Sequence, residues 1–168
     1  MSVPYHIREL RTEDLEQAAA LEAACFSMPW KYKDFEEILT NKNRIYMAAV
    51  LDSPNAEGQT VIGGCVLTDI TGEGDISNVA VHSAYRRRHV AQALLRELIR
   101  VGRQQRGIHT FILEVRSQNA PAIGLYERLG FCSAGVRPNF YEKPKDDAII
   151  MRLTDAGAKP PHQEREGD

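Results

Sequence analysis

Cysteine and long apolar runs are both scarce in this sequence. Its three cysteines, Cys25, Cys65 and Cys132, are odd in number and form neither a CxxC pair nor a Cys/His ligand pattern. We therefore interpret them as reduced thiols of a cytosolic protein, which argues against a disulfide framework and a structural zinc site. No apolar stretch reaches the roughly 18 residues needed to span a bilayer, and the N-terminal residues have no signal-peptide core. We expect a cytoplasmic protein with no metal ion and no membrane association.

The sequence also has no large excess of charge of either sign. The 21 Lys and Arg residues nearly balance the 23 Asp and Glu residues, and a net charge of −2 provides no basic field that would attract nucleic acid. The length of 168 residues corresponds to about one domain, and 43% apolar residues suffice for one core. We expect this domain to extend from residue 3 to residue 154. Residues 155–168 are polar and contain proline but no aromatic residue, so we expect a disordered tail there.

Hydrophobic periodicity predicts that strands and helices are interspersed along the chain. Alternating or dense apolar segments predict strands at residues 3–10, 44–51, 61–69, 75–81, 110–115, 131–136 and 148–153. Helical spacing predicts helices at residues 13–25, 32–40, 90–106 and 120–129. In the first of these helices, Leu15, Ala18 and Glu22 share one face. This order predicts an α/β fold in which a mixed sheet of about seven strands has about four helices on its two faces.

A basic turn joins the strand at 75–81 to the longest predicted helix. It contains Arg86, Arg87 and Arg88, followed by His89. The first N–H groups of a helix lack intrahelical partners and carry partial positive charge, so a strand-to-helix turn of this kind can bind an anion. Guanidinium groups add donors that suit phosphate. On the charge run alone, a solvated basic turn is the principal alternative, and a nucleic-acid contact is a weaker one.

A glutamate interrupts the apolar strand at 110–115. Strand alternation places Glu114 on the face opposite to Leu113 and Val115, and Arg116 shares the face of the glutamate. A carboxyl held on a rigid strand beside apolar neighbours has a raised pKa unless a cation compensates for its desolvation. Arg116 or a bound amine would be that cation. The alternative interpretation is a strand-end glutamate that points to water.

The helix at 120–129 carries the last candidate residues. Asn119 precedes this helix as an N-cap, and Pro121 lies in its tolerant first turn. Ile123 and Tyr126 share one face of the helix. On spacing alone, Tyr126 is more commonly a core tyrosine with its hydroxyl at the rim than a functional group.

Taken together, these segments resemble the GNAT superfamily of N-acetyltransferases. The pyrophosphate loop of that family reads Gln/Arg-x-x-Gly-x-Gly/Ala; Arg86 matches its first position and Ala91 its last, whereas His89 stands where glycine is usual. If the position requires a positive φ, a side chain there costs roughly 1 kcal/mol, although the imidazole is also a possible donor to the pyrophosphate. The strings LEVR, SQN, LYERLGF, FSMPW and DDAIIMRL are similar to the ribosomal-protein-alanine N-acetyltransferases. The resemblance covers approximately residues 3–153.

The resemblance implies a role for each segment. The implied fold is the GNAT acyl-CoA N-acyltransferase fold, a splayed mixed sheet that opens to admit acetyl-CoA. Glu114 matches the general base of the family, Tyr126 matches its general acid, and Asn119 matches an asparagine that contacts the coenzyme. The residues implied to hold the pantetheine arm and the pyrophosphate are Val79, Ala80, Val81, Arg86, Arg87, Arg88, His89, Val90, Ala91 and Gln92. The implied attack is direct, so no cysteine needs a catalytic part.

The resemblance also implies a substrate, the N-terminal alanine of a small-subunit ribosomal protein, number eighteen. A protein α-amine with a pKa near 7.8 is about a quarter neutral at pH 7.4, whereas a lysine near 10.4 is only about 0.1% neutral, so an α-amine needs little from its base. Glu142, Asp146 and Asp147 are candidates for attracting a basic N-terminal peptide, with a solvated hairpin loop as the equal alternative. Asn139, Phe140 and Tyr141 are candidates for a wall that recognises its first residues.

Two other functions stay open on the sequence. One is a GNAT enzyme that acts on a lysine or a small-molecule amine, although such polycationic substrates favour a more acidic pocket than this sequence indicates. The other is a non-catalytic acyl-CoA-binding module; the presence of both Glu114 and Tyr126 argues against it, and His89 argues mildly for it. We expect a monomer or a weak homodimer.

Overall fold

The computed structural model describes residues 4–52 and 59–155, and in this part the chain forms seven strands and four α-helices. The strands are β1 (Tyr5–Glu9), β2 (Arg44–Leu51), β3 (Val61–Ile70), β4 (Glu73–Val81), β5 (Thr110–Arg116), β6 (Cys132–Glu142) and β7 (Lys145–Thr154). The helices are α1 (Leu15–Cys25), α2 (Tyr32–Thr40), α3 (Val90–Arg106) and α4 (Ala120–Arg128). The predicted α/β fold is confirmed. Residue 3, loop residues 53–58 and the predicted tail beyond residue 155 lie outside the described residues.

One mixed sheet organises the molecule. Its strand order is β1-β2-β3-β4-β5-β7-β6. Every neighbouring pair is antiparallel except β4 and β5, which run parallel. A parallel pair needs a crossover connection, and α3 supplies it. Among the described helices, none is long and apolar enough to cross a membrane.

Two apolar clusters cover different parts of the two faces of the sheet. The α3 cluster contains the fully buried side chains Leu94, Leu95 and Leu98, together with residues from β2 to β5 and β7. The α1 cluster lies on the other face and includes Leu15 and Phe35 of α1 and α2 with residues of β2, β3 and β4. No residue of β5, β6 or β7 belongs to the α1 cluster. The face of β5 that points away from α3 is therefore not sealed by this cluster.

Some predicted boundaries were wrong. The strand predicted at 131–136 continues to Glu142, and its partner begins at Lys145 rather than at 148, so the two form a long hairpin. β6 is an edge strand with mostly exposed side chains, so its sequence has no apolar alternation to mark it. The predicted first helix is a 3₁₀ turn up to Asp14, followed by α1. There the carboxylate of Asp14 accepts hydrogen bonds from Arg8 at 2.6 and 3.0 Å.

A β-bulge interrupts β4. The register places one residue of β3, Cys65, opposite two residues of β4, Asn78 and Val79. Asn78 adopts the left-handed conformation, with φ of 54°. Because of the extra residue, Ile76 and Val79 pack against the same α3 cluster although they are three positions apart. The simple alternation expected for residues 75–81 therefore changes phase at the bulge.

Candidate active site

The two parallel strands separate in the middle of the sheet. β4 and β5 pair from Glu73 and Thr110 to Ile76 and Leu113, and no further pair joins them within the described residues. Glu114 is the first residue of β5 after the last pair. Its neighbours Leu113 and Val115 are buried in the α3 cluster, so the side chain of Glu114 lies on the opposite face. A carboxylate therefore stands at the opening of the split.

Arg137 of β6 is the cation beside this carboxylate. Its Nε lies 3.3 Å from Oε1 of Glu114. Arg116, which the sequence suggested for this place, donates instead to two backbone carbonyl groups of the β6–β7 turn at 2.8 and 3.2 Å. Its guanidinium also lies 4.1 Å from the ring centroid of Tyr141. Because the side chain of Arg137 is 58% exposed, water screens the ion pair, and another cation can displace the guanidinium at low cost.

A second carboxylate, Asp75, lies close to the split. The parallel register places Asp75 beside Ile112, which is two residues before Glu114 and on the same face of β5. Burial and the charge of Glu114 raise the pKa of Asp75, whereas Arg137 and Arg44 lower it. Asp75 was not among the site residues predicted from the sequence. The only feature that could have indicated it is the position of an acidic residue within a short apolar strand.

Tyr126 belongs to the α3 cluster, on the other face of the sheet from Glu114. Its side chain is buried, and its ring packs edge-on against Phe131 with centroids 6.0 Å apart. Burial, with smaller contributions from Cys65 and Tyr141, raises the pKa of Tyr126 to about 12. The core interpretation and the functional interpretation of this tyrosine are therefore compatible, because the ring is core and its hydroxyl keeps its proton at neutral pH.

A pocket with a volume of about 350 Å³ lies where β4 meets the beginning of α3. Seven of the residues proposed from the sequence for coenzyme binding line it: Val81, Arg86, Arg87, His89, Val90, Ala91 and Gln92. Three residues of α4 complete the lining, and the sequence analysis missed them: Pro121, Leu125 and Arg128. The sequence does not indicate that these residues line the pocket, because the proximity of α3 and α4 depends on the order of strands in the sheet.

The turn before α3 has an unusual backbone. His89 is the N-cap and adopts φ of 60° and ψ of 20°. A positive φ at this position is the condition under which the sequence predicted a cost of roughly 1 kcal/mol for a residue other than glycine. Arg86 folds back on the sheet, and its Nε donates to the carbonyl oxygen of Val81 at 3.2 Å. Arg88 lies over the ring of Tyr85, 5.8 Å from its centroid.

The remaining candidates for coenzyme binding do not line the pocket. Asn119 caps α4, and its side-chain oxygen accepts a hydrogen bond from the N–H of Ala122 at 3.2 Å, as expected for an N-cap. Ala80 is buried in the α1 cluster, and Val79 packs against the α3 cluster. Coenzyme contacts through Asn119, Arg88 and the backbone of β4 stay predictions.

The acidic residues of the β6–β7 hairpin mostly serve the hairpin itself. Asp146 accepts a hydrogen bond from the hydroxyl of Ser117, and Asp147 accepts one from the N–H of Asn139 at 2.8 Å. Glu142 differs from these two residues. It is exposed at the end of β6, and its carboxylate accepts no hydrogen bond from the described residues. The hairpin interpretation therefore fits Asp146 and Asp147 better than recruitment of a basic peptide.

The proposed recognition wall occupies an irregular part of β6. The register shifts between Arg137 and Tyr141, and Asn139 adopts φ of 53°. Phe140 is 44% exposed, and its ring contacts that of Tyr141 at a centroid distance of 5.0 Å. A partly exposed aromatic pair therefore lies on the same hairpin as the cation that contacts Glu114.

Known proteins are similar to this chain in sequence and in fold. The family profile described as acetyltransferase (GNAT) family matches residues 11–131. A [ribosomal protein bS18]-alanine N-acetyltransferase of Escherichia coli strain K12 is 37% identical over 149 residues, which cover 88% of this chain and 95% of that protein. The crystal structure of the ribosomal-protein-S18-alanine N-acetyltransferase from Escherichia coli is similar with a TM-score of 0.76 at 32% identity, covering 95% of this chain and all of the other.

A solved structure of lower sequence identity contains a bound coenzyme. Arabidopsis thaliana NAA60 in complex with acetyl-CoA has a TM-score of 0.79 at 20% identity and covers 90% of this chain and 98% of that one, a likeness that concerns the fold alone. The split sheet and the helix-terminal pocket define a class, the N-acyltransferases that take their acyl group from coenzyme A. This chain belongs to the acetyltransferase (GNAT) family.

Proposed function

We propose that this chain transfers the acetyl group of acetyl-CoA to the N-terminal α-amine of a protein, the N-terminal alanine of ribosomal protein number eighteen. The observation that carries the proposal is the separation of β4 from β5 directly before Glu114. Separation leaves the backbone groups on that edge of β4 without a strand partner, and an extended ligand can pair with them as an added strand would. A carboxylate is already fixed at the opening.

The coenzyme fits this site with its pyrophosphate at the beginning of α3. The unpaired N–H groups of the first helical turn and the guanidinium groups of Arg87 and Arg128 would bind the phosphates. The pantetheine arm would then follow Val79 to Val81 toward the split. His89 adopts a left-handed conformation, which glycine would adopt without strain, and we propose that this conformation is kept when the phosphates bind.

Glu114 is the proposed base for the attacking amine. The neutral amine forms a bond to the thioester carbonyl carbon, and its proton passes to Glu114 directly or through one water. The exposed ion pair with Arg137 keeps the carboxylate directed toward the opening without sealing it. Backbone N–H groups of the bulged β4 would stabilise the oxyanion.

Tyr126 is the proposed acid for the leaving group. When the carbon–sulfur bond breaks, coenzyme A leaves as a thiolate, and the hydroxyl of Tyr126 supplies the proton. Because burial raises the pKa of Tyr126 to about 12, its hydroxyl holds this proton throughout the physiological range. Base and acid lie on opposite faces of the sheet, so the amine approaches from one side and the sulfur leaves toward the other.

The choice of a ribosomal N-terminus rests on the relatives and on the chemistry of the amine. The Escherichia coli relative, 37% identical over nearly its whole length, carries that activity in its name. An α-amine is partly neutral near pH 7, and the exposed Phe140 with the half-buried Tyr141 offers an apolar wall for a short first side chain. We propose that the enzyme acts in the cytoplasm as a monomer or weak homodimer.

Mass spectrometry of peptides incubated with acetyl-CoA tests this function. We expect one acetyl group on the α-amine of a peptide that begins with alanine, and none on a matched peptide whose α-amine is blocked and whose lysine is free. The Tyr126→Phe variant should modify the first peptide much more slowly. Acetylation of the lysine alone would indicate a different amine acceptor, and coenzyme binding without transfer to any amine would indicate a binding module.

A further inference from the structure

A buried glutamate on α1 is not used by the mechanism above. Glu22 is 1% exposed. Its Oε1 accepts a hydrogen bond from Nδ2 of Asn78 at 2.5 Å, and the backbone N–H of Trp30 lies 3.5 Å from the same oxygen. Its Oε2 is buried and makes no hydrogen bond to the described residues. The carboxyl thus connects the last turn of α1 to the bulge of β4.

This carboxyl is unfavourable for the stability of the fold. Burial raises the pKa of Glu22, and this effect is larger than the lowering caused by the hydrogen bonds from Asn78 and the N–H of Trp30. A buried polar atom without a partner destabilises the folded state, and an apolar side chain of similar volume is often neutral or stabilising at such a position. Stability alone therefore gives no reason for a glutamate here.

The residue that Glu22 contacts controls the backbone at the split. Asn78 holds φ of 54°, a left-handed conformation that is uncommon for residues other than glycine and that asparagine adopts more readily than most. It lies two residues beyond Ile76, the last residue of β4 that pairs with β5. The direction of the N–H and C=O groups of the following residues, which would contact the thioester, depends on this one dihedral angle.

We infer that Glu22 is a positioning residue for acetyl transfer: through its hydrogen bond to Asn78 it fixes the bulge of β4 in the geometry that aligns the backbone with the acetyl group. This inference rests on the proposed function of the split. It differs from a role in coenzyme binding, because the pyrophosphate pocket lies at the beginning of α3 and neither Glu22 nor Asn78 lines it.

Three variants separate the hydrogen bond from packing and from charge. Glu22→Gln keeps an acceptor for Asn78 and removes the carboxylate. Glu22→Leu removes the acceptor and fills the same space. Asn78→Gly permits the left-handed backbone and removes the side chain. Asp14→Asn is the matched control, because Asp14 is also a buried carboxyl, 2% exposed, and its hydrogen bonds go to Arg8 and Arg11 rather than to the bulge.

Two readouts follow, one of which needs no amine. By calorimetry we expect the wild type and Glu22→Gln to bind acetyl-CoA more tightly than coenzyme A. Glu22→Leu and Asn78→Gly should lose this preference while their Kd for coenzyme A changes less than about twofold. With an accepted amine, misalignment at the reacting carbon should lower their kcat by roughly tenfold to a hundredfold. Asp14→Asn should lower the melting temperature without changing either quantity.

Several results would overturn the inference. Wild-type kcat in both Glu22→Leu and Asn78→Gly would do so, as would equal binding of acetyl-CoA and coenzyme A by the wild type. A loss in Glu22→Gln as large as that in Glu22→Leu would also contradict it. If Glu22→Leu does not fold, Asn78→Gly decides alone. A wild type that binds acetyl-CoA preferentially but acetylates no N-terminal peptide refutes the proposed acceptor and leaves the calorimetric test of Glu22 intact.

Discussion

Replacing Tyr126 by phenylalanine removes one hydroxyl group and leaves the ring in place. The ring packs against Phe131 within the α3 cluster, and the hydroxyl makes no hydrogen bond to the described residues. We therefore expect the melting temperature of Tyr126→Phe to stay close to that of the wild type. A loss of activity in Tyr126→Phe would then result from the missing hydroxyl group in the reaction and not from a less stable fold.

The size of the loss follows from the role of the hydroxyl as a general acid. Positioned proton donors contribute about 10²- to 10⁴-fold in rate, or roughly 3–5 kcal/mol of activation free energy. Because burial raises the pKa of Tyr126 to about 12, the acid form is present at every pH below about 11. The wild-type kcat/KM should thus rise with pH as the α-amine loses its proton and level off above about pH 8.

The assay is the release of coenzyme A thiol from pH 6 to pH 9.5 with an alanine-initiated peptide. Tyr126→Phe should lower the whole profile by about a hundredfold or more without moving its midpoint, since the midpoint belongs to the substrate amine. Tyr5→Phe in the edge strand β1 is the matched control and should behave as the wild type. Activity within threefold of wild type would remove Tyr126 from the mechanism, and a displaced midpoint would contradict its role as a general acid that stays protonated.

Other substitutions probe the base, the pocket and the fold. Glu114→Gln should lower kcat/KM by about 10²-fold or more in the same assay. Its pH profile should shift upward, because proton removal from the attacking amine then depends on hydroxide and the rate keeps rising above about pH 8 instead of levelling off. An unchanged profile would exclude Glu114. Arg128→Ala should raise KM for acetyl-CoA by about tenfold with little change in kcat, since a charge-assisted hydrogen bond contributes about 1.5–3 kcal/mol. Arg106→Ala, at the end of α3 and outside the pocket lining, should leave KM unchanged. Arg8→Met should reduce the free energy of unfolding at neutral pH by about 3 kcal/mol, because it leaves Asp14 buried without its partner. Burial raises the pKa of Asp14, but the hydrogen bonds and charges of Arg8 and Arg11 together lower it more. The stabilisation is therefore present at neutral pH and should disappear as the pH falls below about 4 in denaturant titrations.

The periodic parts of the fold were predictable because their signal is local. Leu94 and Leu98 form one ridge of α3, and the boundaries of that helix and of α2 were predicted correctly. The same alternation placed Glu114 on the open face of β5. The bulge at Asn78 was not predicted, because it results from pairing with β3 and leaves no pattern in a single strand.

The parts of the site that were missed depend on contacts between distant residues. The sequence places Glu22 on the buried face of α1, but nothing in its spacing indicates that Asn78, 56 positions later, is its partner. Arg137 reaches Glu114 only because β7 lies between β5 and β6. Arg128 lines the pocket only because α4 packs next to the start of α3. Such neighbours follow from topology, which single-sequence patterns do not specify.

A crystal of this protein grown with coenzyme A would show whether the split between β4 and β5 holds the reacting sulfur. We expect the pyrophosphate at the first turn of α3, the pantetheine arm paired with residues 79–81, and the sulfur in the split with the carboxylate of Glu114 facing it. A coenzyme bound elsewhere, or a carboxylate of Glu114 turned away from the sulfur, would refute the proposed function of the split.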